Sequence, residues 1–222
     1  MRRHLDQARY PGCKGTKMTP SELSRAIREH QGTFVCSRIN KPSETKVVCF
    51  SHEVTPPGNS SNVPDFGRLR EFYAVLGSVA FYVDKKSGDA ARYIAPSGEW
   101  SNLHDHFAAW LDGLDESERE ELPEWTGSCL VIGEEPRSGN YILVPTIGND
   151  VGAIYHFEHD GFEFDRHADN LLQYAESLLD LDDQNLVYIA THMRFVEDDN
   201  HEVQWWIEEL QDNRGNAART RV

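Results

Sequence analysis

Apolar positions along the chain alternate between helical and strand periods, and these periods divide it into elements. From Thr19-Pro20, Leu23, Ala26, Ile27 and His30 share one helical face until Gly32. Thr19 is the N-cap and Pro20 the first helical residue, where a missing N–H costs little. Two short strands are expected next, Thr33 to Ser37 and Lys46 to Phe50, joined through the turn-rich Asn40-Lys41-Pro42-Ser43 as a hairpin. Thr55-Pro56-Pro57-Gly58-Asn59-Ser60-Ser61-Asn62 is the clearest loop and the expected main domain boundary.

Beyond it, Leu69, Phe72, Tyr73 and Leu76 mark a short helix closed by Gly77, and Val79 to Val83 a strand. A second amphipathic helix starts near Ser101, with Leu103, Phe107, Trp110, Leu111 and Leu114 expected inward, and gives way to the acidic run 115–121. Strands follow in close succession at Cys129–Ile132, Tyr141–Val144 and Ala153–Phe157, with a return at Phe162–Phe164. Without helices between them they should pair as an antiparallel meander. Alternation in the third puts Tyr155 and Phe157 on one face, Ile154 and His156 on the other. A third helix is expected from Asp165, carrying Ala168, Leu171, Leu172, Ala175, Leu178 and Leu179. Leu186–Ala190 reads as a strand, and Val203, Trp206, Ile207 and Leu210 outline a last helix before a frayed end. Of the adjacent Trp205 and Trp206, one should be core and the other a partner anchor.

The fold class expected is α+β, a mainly antiparallel sheet packed against helices. Its divisions are a poorly ordered lead-in over 1–17, a helix, hairpin and linker over 18–62, a central domain over 63–182 and a C-terminal strand and helix extension over 183–222.

Composition adds limits. Hydrophobic residues make up 39% of the 222 residues and aromatics 10%, enough for a core without disulfides or metals. Cys13, Cys36, Cys49 and Cys129 lack CxxC spacing and suit reduced thiols, and with no apolar leader or membrane-length run the expected location is the cytoplasm. The net charge of −15 is uneven: residues 1–50 carry ten Lys/Arg against four Asp/Glu, whereas 104–182 carry three Arg against nineteen Asp/Glu. A surface so acidic disfavours nucleic acid and attracts basic partners.

The most specific segment is Ile132-Gly133-Glu134-Glu135-Pro136-Arg137-Ser138-Gly139-Asn140-Tyr141, followed by Gly148 and then Gly152-Ala153-Ile154-Tyr155-His156-Phe157-Glu158-His159-Asp160. Gly133, Gly139 and Gly152 sit at strand ends or turns, Ser138 and Asn140 can fix the turn before the next strand, and His159-Asp160-Gly161 reads as another turn. In order and spacing these residues resemble the SUKH superfamily, the Smi/Knr-type domain, over roughly residues 63–182, with Leu69-Arg70-Glu71-Phe72-Tyr73 similar to its early helix. The resemblance implies a curved antiparallel sheet against helices, and a non-catalytic role. Many bacterial members are immunity proteins that bind and neutralise toxins, often nucleases; eukaryotic relatives act as scaffolds or regulators.

The leading expectation is an immunity protein that binds a basic toxin through Asp115, Glu116, Glu118, Glu120, Glu121, Glu134, Glu135, Asp150, Glu158 and Asp160. A regulatory scaffold and a metal-dependent hydrolase are the alternatives. His104-Asp105-His106 and the set His156, His159 and Asp160 lack the spacing of a known metal site. Cys129 opens an apolar strand without nucleophile context, and the loop 136–140 lacks a phosphate loop's lysine. No catalytic residue, metal or cofactor is expected, nor a nucleic-acid or membrane partner.

Overall fold

The computed structural model describes residues 18–38, 41–58, 62–85, 88–179, 205–214 and 217–219. Their strands form one open antiparallel sheet in the order β10-β9-β1-β2-β3-β4-β5-β6-β7-β8. These are β1 (Gly32–Arg38), β2 (Lys41–Thr55), β3 (Ser78–Asp84), β4 (Arg92–Ile94), β5 (Cys129–Glu135), β6 (Asn140–Pro145), β7 (Ile154–Glu158), β8 (Glu163–Ala168), β9 (Trp205–Asp212) and β10 (Ala217–Arg219). The helices are α1 (Pro20–Glu29), α2 (Leu69–Tyr73), α3 (Trp100–Asp112), α4 (Glu116–Glu120) and α5 (Leu171–Ser177). The α+β class and the antiparallel meander of β5 to β8 are therefore as expected.

Helix α1 starts where its capping residues dictate. Thr19 Oγ1 accepts the Glu22 N–H while Glu22 Oε2 accepts the Thr19 N–H at 2.8 Å, a reciprocal capping box. Leu23 and Ile27 are fully buried. In the β1–β2 hairpin, Phe34 lies opposite Val48 and Gly32 opposite Phe50, and the Phe34 and Phe50 rings stack at 4.7 Å. Strand β2 extends at both ends beyond the expected Lys46–Phe50: Lys41-Pro42-Ser43 lies within the strand rather than the turn, and the other end pairs with β3 up to Thr55. The 55–62 segment joins β2 to α2, and strands on either side of it belong to one sheet.

The helices lie on both faces. Tyr141 packs against Phe107 of α3, and Ile142, its neighbour in β6, faces the other way beside His156, whose ring meets Tyr174 of α5. Helices α1 and α2 gather with α5 on that second face. Tyr155 and Phe157 share the α3 side and Ile154 and His156 the α5 side, as alternation requires.

Two elements and one side chain differ from expectation. Residues 163–168 form β8, so the third helix starts at Leu171, capped by Asn170, whose Oδ1 accepts the Gln173 N–H at 3.0 Å. Of the residues expected to form a last helix, Trp206, Ile207 and Leu210 run instead in strand β9, paired with β1 from Gly32 opposite Asp212 to Arg38 opposite Trp205; Val203 lies outside the described residues. Their i, i+3, i+4 spacing is real, but β1 offers an unpaired edge to a segment rich in Trp and Ile, and pairing overrides local period. Trp110 is 38% exposed rather than inward. The 1–17 lead-in and the Leu186–Ala190 strand lie outside the described residues.

Candidate protein-binding surface

Ser138, Gly139, Asn140 and His159 of the SUKH-like motif converge on the β5–β6 and β7–β8 turns, whereas Gly133, expected at a strand end or turn, lies within β5. Ser138 Oγ donates to the Glu135 carbonyl at 2.8 Å and accepts the Asn140 N–H at 3.0 Å, closing the β5–β6 turn. Gly139 takes φ +83°, and a Cβ there would stand 3.1 Å from Trp110 Cζ2. Asn140 spans the two turns: its Nδ2 donates to Glu135 Oε2 at 2.9 Å, and its Oδ1 accepts the His159 N–H at 3.1 Å and meets His159 Nδ1 at 2.9 Å. The His159 ring underlies Trp110 at 4.7 Å and reaches Asp160 through Nε2 at 2.9 Å. Gly133 admits β4, since a Cβ would fall 2.1 Å from the Tyr93 carbonyl oxygen; Gly152, at φ +84°, abuts Gly67.

On the α3 face, register sets a row of cross-strand neighbours: Tyr93, Glu134, Tyr141, Phe157 and Phe164, one from each of β4 to β8. Leu103 and Phe107 of α3 cover part of the sheet's face. Near Tyr93, Glu134 and Tyr141 stand Trp110, His106 and Glu99, which accepts from Tyr93 at 3.1 Å. Partial burial, and then the negative charge of Glu134, raise the Tyr141 hydroxyl above its ordinary range.

On the opposite face lies a buried polar network. Arg92 and Glu135, the latter 1% exposed, pair at 2.7 Å; His156 Nδ1 stands 3.3 Å from Glu135 Oε1, and its Nε2 is 2.9 Å from the Tyr174 hydroxyl. The His167 ring packs against His156 at 4.5 Å, tilted by 47°, and burial, then the neighbouring His156 and Arg92, push it well below the usual histidine range. Glu135 is therefore removed from the acidic surface: consecutive strand residues face opposite ways, and its carboxylate balances a buried guanidinium. Sequence alone could not pair Arg92 with Glu135 across β4 and β5, because β4 is three residues long and shows no readable period.

The other expected contact residues remain at or near the surface. Asp115, Glu116, Glu118, Glu120 and Glu121 are exposed around α4, where Asp115 and Glu118 also form a capping box. Glu134, Asp150 and Glu158 are half-buried, Asp150 lying 3.5 Å from Arg166, and Asp160 is 95% exposed in its side chain. The two histidine sets do not assemble: His156 is in the core, His159 on its turn, and no group of three or more His, Cys, Asp or Glu among the described residues is placed to hold a metal. Cys129 is a buried strand residue whose thiol donates to the Thr126 carbonyl at 3.4 Å and is pushed up to about 12 by burial. Trp205 and Trp206 are placed in β9 opposite Arg38 and Ser37; their side chains lie outside the description. None of the described helices is long and apolar enough to cross a membrane.

Comparison of the chain with protein-family models, with curated proteins and with solved structures finds no match.

Proposed function

We propose that this chain is a SUKH-like immunity protein: a cytoplasmic, non-enzymatic protein that binds a basic toxin through its acidic α3–α4 side and neutralises it. The observation that carries the reading is the division of labour within the motif stretch. Gly133 and Gly152 admit close backbone approach and Ser138, Gly139, Asn140 and His159 shape the turns, while Glu134, Asp160 and the α4 carboxylates stay exposed or half-exposed around them. The buried ionisable groups support the same reading, since Arg92 and Glu135 neutralise one another inside the core. Acidic surface on a stable sheet accelerates encounter with a cationic partner and supplies charge pairs at the rim.

The test is co-expression with any toxin encoded beside this gene. Rescue of growth and a stable one-to-one complex by analytical ultracentrifugation are expected, with association slowed by charge reversal at Glu118, Glu120 and Glu121. Failure of both rescue and complex formation would overturn the reading. A complex with a host regulatory protein and no toxin would replace it with a scaffold.

A further inference from the structure

Glu134 and Glu135 are adjacent in sequence and opposite in circumstance. Glu135 points to the α5 face and meets Arg92 at 2.7 Å. Glu134 points to the α3 face, in the aromatic row between Tyr93 and Tyr141, and has neither an ion pair nor a side-chain hydrogen bond among the described residues. The charges that act on it are His106, which favours its ionised form, and Glu99, which opposes it; partial burial, the largest influence, raises its carboxyl above the ordinary range. Such a carboxylate costs the free protein stability, and the favourable influence of His106 offsets only part of that cost.

Its surroundings are suited to a flat cation. Trp110 is 38% exposed, held from below by the His159 ring and seated over Gly139, where any side chain would crowd it. It lies near Tyr141, the cross-strand partner of Glu134. The ring is thus fixed before any partner arrives, which lowers the entropy lost on binding. Carboxylate beside aromatic faces is the arrangement in which a guanidinium can donate two N–H bonds and stack at once; an ammonium can do only the first.

We infer that Glu134, between Tyr93 and the buried Tyr141 in the cross-strand row and with the exposed Trp110 near Tyr141, is the seat for an arginine side chain of a basic protein partner. The inference rests on the proposed reading for the partner being basic, and on geometry for the arginine.

The probe is the tripeptide Gly-Arg-Gly, titrated into the intact protein while the Trp110 indole N–H and tyrosine ring signals are followed by NMR. Saturable shifts at Trp110, Tyr93 and Tyr141 are expected at millimolar peptide, with Gly-Lys-Gly several-fold weaker. Glu134→Gln should weaken the arginine peptide at least tenfold, whereas the triple Gln variant at Glu118, Glu120 and Glu121 should leave it within about twofold. The Gln variant is close to isosteric and removes a charge that has no ion pair among the described residues, so it folds. Equal response to both peptides, or shifts that survive Glu134→Gln, overturn the inference. The toxin-protection assay separates the two failures. Protection that persists in Glu134→Gln and Trp110→Ala removes this seat and keeps the immunity reading. Arginine binding at Glu134 without any protection keeps the seat and removes the immunity reading.

Discussion

His52 Nδ1 accepts the backbone N–H of Tyr82 at 2.9 Å. Tyr82 has φ +55°, rare for a residue with a side chain, and it sits where the β2–β3 register slips between Ser51 and Glu53. The irregular backbone needs an acceptor for that amide, and the His52 ring supplies it. Because an amide N–H can only donate, Nδ1 is bare and Nε2 carries the proton, directed at His30 Nδ1 2.7 Å away.

Acid should therefore loosen this corner. Burial first, then the nearby His30 and Arg214 charges, hold His52 well below the usual histidine range. A group whose folded value is depressed contributes stability above its unfolded value near 6.5, lost as pH falls through the folded value, with a slope of up to about 1.4 kcal/mol per pH unit. Urea midpoints between pH 7 and 5 should fall in the parent and fall less steeply in His52→Gln, His167 contributing the remainder in the same direction. Parallel pH profiles in the two proteins would contradict this account.

The Arg92–Glu135 pair makes a prediction of a different kind. Glu135→Ala leaves a guanidinium buried without its carboxylate and strips Asn140 of an acceptor. The expected loss is about 3–5 kcal/mol by chemical denaturation. The double variant Arg92→Met with Glu135→Leu removes both charges and should recover most of that loss. If the double is as unstable as the single, charge balance is not what holds β4 to β5.

How far this architecture could be read in advance depended on local signal. The N-cap Thr19 with Pro20, the apolar stripe of α1 and the closely spaced strands β5 to β7 carry their signal in adjacent residues. Strand β8 does not: Glu163, Asp165, Arg166 and His167 are polar on an edge with little burial to enforce alternation. Strand β9 depends on β1, more than 160 positions earlier, so its helical spacing had no local competitor. At the candidate surface the acidic residues were visible as composition. Which of two adjacent glutamates faced Arg92 was not, because the pleat assigns faces only once register is known.

The motif glycines should separate by surroundings. Gly133→Ala forces a Cβ against the Tyr93 carbonyl, and Gly152→Ala combines a left-handed φ with a Cβ 2.5 Å from the Gly67 amide nitrogen. Each should cost more than about 2 kcal/mol. Gly127→Ala, which meets open space, should change stability by no more than about 0.5 kcal/mol. Equal effects at all three positions, measured by thermal unfolding, would show that close approach is not why the motif glycines are there.

Glu134→Gln should make the free protein more stable at neutral pH, an unusual outcome for removing a charged residue. Its carboxyl is raised by partial burial and by Glu99, with His106 opposing, so ionisation is penalised in the folded state relative to the unfolded chain. The sign follows directly. Below the unfolded value near 4.5 the side chain is neutral in both states and the penalty is absent; above the folded value the penalty is complete. The variant's advantage should thus appear as pH rises through the acid range and persist to pH 7. Solvent screens a half-exposed carboxylate, which keeps the gain under about 1 kcal/mol. Thermal unfolding of the parent and Glu134→Gln from pH 4 to 7 measures it. A variant less stable than the parent at pH 7 would mean that Glu134 has a cationic partner within the fold, and that its carboxylate is not held open for one from outside.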